Sequence, residues 1–283
     1  MGSFTHAGRR LAYTEHGSGE RLVVLLHGLL LSQKLVTPLA RSLADAGNRV
    51  VTLDLLGHGR SDRPTDMTAY SMTAFGEQVV GLLDHLDAQE AVVGGVSLGA
   101  NVALETAVLA PERVRGMIVE MPVLDDALLA CAVAFTPLML ATTVGAPVMQ
   151  GLATLARLIP TARGPWLADT LLDTVRQDPR PSGAVLQGLF FARVAPPAAL
   201  RREISAPALV IGHRHDPVHP FSDADRLVTE LPAARMVQAS SMLELRLRPE
   251  RLTAEMSAFL DEVWRPTAVG DDDRSGSQAR RVA

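Results

Sequence analysis

Gly94-Gly95-Val96-Ser97-Leu98-Gly99-Ala100 is the stretch on which the reading of this chain turns. An apolar run, Ala91 to Val93, precedes it, and a helix-forming run, Leu98 to Leu109, follows. A strand, a sharp turn bearing one serine and then a helix is the layout that lifts a hydroxyl clear of a sheet edge. Sterics fix the neighbours as well. Gly95 and Gly99 stand two residues to either side of Ser97, where a Cβ would collide with the adjoining strand or helix. A lone Gly-x-Ser-x-Gly is a weak signal; its place between a strand and a helix gives it weight.

Outward from that turn, Arg21–Leu26, Arg49–Leu53 and Arg115–Glu120 are short apolar runs of the kind buried on both faces of a parallel sheet. Helical patterns separate them. One spans Gln33–Ala46 and is stopped by Gly47-Asn48; another spans Ser71–Leu86, with Ser71 placed as N-cap. Arg9–Glu15 alternates as an edge strand and turns at Gly17-Ser18-Gly19. This alternation predicts an α/β fold with a mostly parallel, doubly wound sheet. Ligands of such sheets sit beyond the carboxyl ends of the strands, an edge shared by His27, Asp54, Ser97 and the segment after Glu120.

From Met121 to Ile204 the alternation stops, and prolines from Pro137 to Pro197 divide an Ala-, Leu-, Val- and Met-rich segment. Several short helices and no strand are expected there. Its apolar clusters, Val133–Leu140 and Leu186–Phe191, lack a polar face, which fits either ordinary helix packing or a lid over an apolar pocket. Alternation returns with a strand at Ala208–Ile211, a helix at Asp223–Leu231, a strand at Arg235–Gln238 and a helix from Pro249 to Trp264. The expected organisation is a core of residues 1–122 and 205–265, a helical cap at 123–204 inserted after the sixth strand, and a disordered polar tail at 266–283.

Composition limits the function classes. The 283 residues carry a net charge of −4, which gives no reason to expect nucleic acid as a partner. The one cysteine, Cys131, forms no internal disulfide and reads as an inert core residue. MGSFTHAGRR has no apolar run, so no signal peptide is expected, and no stretch has the roughly 18 apolar residues of a membrane span. A soluble cytoplasmic protein without cofactor or metal is the expectation.

Taken together, His27-Gly28, Asp54-x-x-Gly57-His58-Gly59-x-Ser61, Gly95-Val96-Ser97-Leu98-Gly99 and Gly212-x-x-x-Asp216-x-x-x-Pro220 resemble the α/β-hydrolase fold family from residue 9 to residue 264. The resemblance implies a nucleophile, an acid and a histidine base in the chain order Ser, Asp, His, with two backbone amides as oxyanion hole. It places the nucleophile at Ser97, the acid at Asp216 and the oxyanion donors at the amides of Leu29 and Leu98. Haloalkane dehalogenases and epoxide hydrolases of this fold carry Asp in the Ser97 slot, which disfavours their chemistry here. His27 and His58 match motifs that are mainly structural in the family, and His85 reads as a surface residue.

One part of the pattern is missing. The family's base stands about seven residues before the proline that opens the last helix, and that slot holds Met242; no histidine follows His219. A thioether takes no proton, and a serine hydroxyl needs a base. Three readings stay open. His213, His215 or His219 replaces the base, with His219 favoured because Pro217 and Pro220 stiffen its loop; three imidazoles without ligand spacing do not argue for a metal. Alternatively Glu244 serves as a carboxylate base, although pairing with Arg246 or Arg248 explains it as well. Or the triad is dead. The leading expectation is a serine-dependent hydrolase of a small apolar ester or lactone; the alternative is a non-hydrolytic member that binds a small hydrophobic ligand under the cap.

Overall fold

The computed structural model describes residues 1–160 and 166–265. Eight strands form one sheet in the order β1-β2-β4-β3-β5-β6-β7-β8. They are β1 (Gly2–His6), β2 (Arg9–His16), β3 (Leu22–Leu26), β4 (Arg49–Asp54), β5 (Ala91–Val96), β6 (Val114–Glu120), β7 (Ala208–His213) and β8 (Ala234–Ala239). From β4 to β8 every pairing is parallel, and β1 and β2 close one side antiparallel. Arg9–His16 is therefore not the edge strand. Gly2–His6 is, folded back through Ala7-Gly8, whose φ values of 46° and 72° suit a two-residue hairpin turn.

Each face of the sheet is covered. α2 (Met72–His85), α3 (Leu98–Leu109) and α9 (Phe221–Glu230) pack against one side; α1 (Thr37–Asp45) and α11 (Glu250–Val263) pack against the other. In β3, Leu22, Val24 and Leu26 point to the first side and Val23 and Leu25 to the second, so an unbroken apolar run satisfies a period of two. The expected helix at 33–46 is divided into a 3₁₀ turn, Gln33–Leu35, and α1. Asp54 causes the break. Its carboxylate accepts the Gln33 backbone N–H and the Gln33 side-chain amide, both at 2.8 Å, and holds that residue out of the helix. Ser71 caps α2 as expected, accepting the Ala74 N–H at 3.1 Å.

Between β6 and β7, the described residues form only helices: α4 (Leu128–Thr143), α5 (Ala146–Ala156), α6 (Trp166–Val175), α7 (Pro179–Phe190) and α8 (Ala198–Arg201). Pro137 does not divide them; α4 runs through it. The N–H it lacks would have met the Val133 carbonyl, and both residues face outward, where water can reach that oxygen. A last short helix, α10 (Glu244–Leu247), was not foreseen. The expectation for 266–283 lies outside the described residues.

Candidate active site

Ser97 sits at the turn between β5 and α3 with φ 54° and ψ −111°, a conformation that β-strand and helix residues avoid. The neighbouring glycines make it possible. A Cβ on Gly95 would lie 2.6 Å from the Gly99 carbonyl carbon and 2.7 Å from Leu26 O, and one on Gly99 would lie 2.5 Å from Leu26 O. These contacts are with backbone and cannot be relieved by a side-chain rotation. The turn is also anchored from outside, since the Ser97 N–H donates to Glu120 O at the end of β6, at 2.9 Å.

The serine hydroxyl meets a histidine. Ser97 Oγ lies 2.9 Å from His219 Nε2, and His219 Nδ1 lies 2.9 Å from Asp216 Oδ2. With the Nδ1 proton donated to the carboxylate, Nε2 is free to accept from the hydroxyl. His219 and Asp216 come from one loop, between β7 and α9, only three residues apart. The other oxygen of Asp216 folds that loop, accepting the N–H groups of Val218 at 2.8 Å and His219 at 3.0 Å. Burial alone would raise the Asp216 pKa, but the bonds from the His219 ring and from the two amides outweigh it and bring the carboxyl down to about 2.

The other candidates lie elsewhere. His215 is exposed. His213 is buried at the end of β7, with Nδ1 donating to Ser241 O at 3.1 Å and Nε2 3.4 Å from Glu120 Oε1. Glu244 is engaged elsewhere. It binds Arg251 at 2.8 Å and the Ser240 hydroxyl at 2.7 Å, and Arg251 foremost holds its carboxyl down to about 2. Met242 is 39% exposed on the loop after β8. His27 and His58 are fully buried with ring centroids 4.8 Å apart. His27 Nδ1 donates to Gly28 O at 2.8 Å and Nε2 accepts the Leu55 N–H at 3.2 Å, tying the loop of Leu29 to the loop after β4. Burial lowers the pKa of both, that of His58 well below the ordinary value, so both are neutral struts.

A cavity of about 360 Å³ opens over Ser97, with Leu29 and Leu98 in its wall. Met72, Val123, Leu128, Phe135, Leu186 and Phe190 supply most of the rest, and among the described residues no Lys, Arg, Asp or Glu lines it. Cys131 lines it too and is only partly buried, because the helix that carries it lies over the cavity rather than in the core; its reading as an inert core residue is corrected. Burial pushes the thiol pKa up. Among the described residues no group of His, Cys, Asp and Glu could hold a metal ion.

Two positioning residues went unread in the sequence. Asn101, one turn after Ser97, donates to Val123 O at 2.7 Å and Val194 O at 2.6 Å, and accepts the Val123 N–H at 3.1 Å. It thereby ties both ends of the helical insertion to α3. Asp223, two residues into α9, accepts the N–H groups of Leu124, Asp126 and Ala127 at 2.7, 3.1 and 3.1 Å. An Asn within the apolar first two turns of α3 was the available signal for the first.

Behind the triad, Arg246 Nη1 reaches both oxygens of Glu120 at 2.6 and 2.8 Å, in a setting where Glu120 is 2% exposed. Burial would raise the Glu120 pKa, but Arg246 reverses the direction and keeps it below the ordinary range. Removing one partner of a buried pair costs more than the pair contributes. Arg246→Ala is therefore expected to lower unfolding free energy in urea by about 3–5 kcal/mol.

Acid should weaken the fold through Asp216 and Glu244. Each has a native pKa of about 2 against an ordinary value near 4, so each stabilises the native state fully above pH ~4 and loses that contribution as pH falls toward ~2. The urea midpoint should drop over that window, and by less in Glu244→Gln.

The sequence of residues 21–240 matches the model of the alpha/beta hydrolase fold family, and the chain belongs to that family. It is 35% identical over 97 residues to a haloalkane dehalogenase from Mycolicibacterium paratuberculosis, covering 34% of this chain and 32% of that protein. It is 37% identical over 112 residues to a putative non-heme haloperoxidase from Mycobacterium phage D29, covering 39% of each. These alignments span about a third to two-fifths of the relatives' lengths. In structure it resembles the enol-lactonase from Burkholderia xenovorans LB400, with a TM-score of 0.73 at 21% identity over 92% of this chain and 99% of that one.

Proposed function

We propose that the protein is a serine hydrolase that cleaves small, uncharged, apolar esters or lactones through an acyl-enzyme on Ser97. One observation carries the reading: Ser97 Oγ, His219 Nε2 and Nδ1, and Asp216 Oδ2 form a chain of two 2.9 Å hydrogen bonds. As Oγ attacks the substrate carbonyl carbon, its proton passes to Nε2, and Asp216 stabilises the imidazolium. The backbone amides of Leu29 and Leu98, both residues of the cavity wall, are assigned here as the oxyanion donors. Collapse of the tetrahedral intermediate breaks the carbonyl–oxygen bond, and Nε2–H protonates the departing alkoxide. A water deprotonated by His219 then releases the acid and restores the Ser97 hydroxyl.

The cavity supports the proposed substrate class. At about 360 Å³ it has the size of a small-molecule site. Among the described residues of its wall none is cationic, so they offer no counter-charge to a carboxylate substrate. The alternative of a binding protein with a dead triad drew its support from Met242, and a histidine within reach of Ser97 removes that support.

Turnover of p-nitrophenyl butyrate, compared between the wild type and Ser97→Ala, tests the reading. Wild-type turnover that falls to the uncatalysed background in the variant is the expected result. Equal rates in the two proteins would overturn it.

A further inference from the structure

From Ala127 to Ala156 the chain contains no Asp, Glu, Lys, Arg or His. That span is α4 and α5, which meet at 90°. Their inner sides pack on the protein; their outer sides are bare. On α4, Leu129, Val133 and Leu140 share a stripe at helical spacing and are exposed. On α5, Val148, Leu152 and Leu155 do the same, and Val144, 82% exposed, stands at the corner. At roughly 100 Å² for each such side chain the face comes to about 700 Å², where the largest apolar patch of an ordinary monomer is about 300–600 Å².

Three hydroxyls of the two helices are bonded back to helix carbonyls. Thr142 Oγ1 donates to Leu138 O at 2.8 Å, Thr143 Oγ1 to Met139 O at 2.7 Å and Thr154 Oγ1 to Gln150 O at 2.8 Å. A protein partner over such an area makes about one hydrogen bond per 100–200 Å² and usually finds charges at the rim. Here those three hydroxyls are already used, and no charge lies between Ala127 and Ala156, with Asp126 and Arg157 exposed at the two ends of the span. Hydrocarbon asks for neither. The face also runs into the Ser97 cavity, because Leu128 and Phe190 are each nearly half exposed and each line that cavity.

We propose that the outer face of α4 and α5 docks on the surface of a neutral phospholipid bilayer, seating the mouth of the Ser97 cavity against the lipid. No single helix among the described residues is long and apolar enough to cross a membrane, and the 90° corner lays the pair along a surface. An apolar ligand then moves from lipid to cavity over Leu128 and Phe190 without crossing water. Binding to an uncharged face draws on apolar burial alone, so neither anionic headgroups nor salt should alter it much.

Flotation of the full chain with extruded phosphatidylcholine vesicles tests this, using wild type, Ser97→Ala and the triple variant Val133→Asp/Val148→Asp/Leu155→Asp. Wild type and Ser97→Ala are expected to float equally, which separates docking from the proposed hydrolysis. The bound fraction should change less than about twofold between ~0.05 and ~0.5 M NaCl, or on adding phosphatidylserine. The triple variant should bind about tenfold less or weaker still, with its circular dichroism unchanged. If it does not fold, Val148→Asp alone is expected to bind severalfold less. The proposal is overturned by wild type that stays in the pellet, by binding that needs anionic lipid and vanishes in salt, or by a lipid-free dimer in sedimentation equilibrium that the same substitutions abolish.

Discussion

His219→Ala should lower kcat for a short p-nitrophenyl ester by about four to six powers of ten, with KM little changed. The size follows from the wiring of the site. His219 Nε2 is 2.9 Å from the Ser97 hydroxyl, and no other described side chain is hydrogen-bonded to that oxygen. Without the imidazole the hydroxyl must attack unassisted, and only the oxyanion amides and binding contribute. KM holds because the cavity wall is made by other residues. Met242→His should give no gain, since the hydroxyl already has a histidine at 2.9 Å. Steady-state kinetics on the two variants and the wild type check both statements. A His219→Ala enzyme retaining a tenth of the wild-type kcat would remove His219 from the mechanism.

Asp216→Asn should cost about 10⁴ in kcat and some stability as well. The carboxylate has two tasks, one for each oxygen. Oδ2 fixes the proton of His219 on Nδ1, and Oδ1 holds the turn through the amides of Val218 and His219. An amide can keep only one of them. With its oxygen on the turn, its NH₂ faces Nδ1, and the ring must carry its proton on Nε2, where it can no longer accept from Ser97. With the amide reversed, NH₂ meets two N–H groups and the loop opens. Each arrangement disables the base, so kcat falls in either case, while urea unfolding distinguishes them: the second costs more stability. An Asp216→Asn enzyme with kcat within tenfold of wild type would show that the acid is unnecessary.

Much of this was legible in the residues, and the reasons differ between elements. The buried parallel strands announce themselves because both faces are covered, so Leu22–Leu26 is apolar throughout. The elbow announces itself because only glycine fits beside Leu26 O. β1 stayed hidden: Gly2–His6 is short and mixed, and its pairing depends on the positive φ of Ala7 and Gly8. Helix boundaries near Gln33 were set by a side chain 21 residues away, Asp54, which no local pattern reveals. The base was half legible. Pro217 and Pro220 marked a stiff loop at the right sheet edge and made His219 the preferred surrogate, but Met242 left the dead triad open. That alternative depends on a distance between residues 122 apart in the chain, which the fold alone supplies. Asn101 and Asp223 were missed for a similar reason, because each serves backbone groups remote in sequence.

The central claim is that one loop, between β7 and α9, delivers both the acid and the base to Ser97, in place of a histidine after β8. The rate of covalent inactivation by a fluorophosphonate reads activation of Ser97 without substrate turnover. The account predicts a second-order rate constant at least about a thousandfold lower in His219→Ala than in wild type, and unchanged in Met242→Ala. Inactivation that is equally fast in His219→Ala, or lost in Met242→Ala, would contradict it.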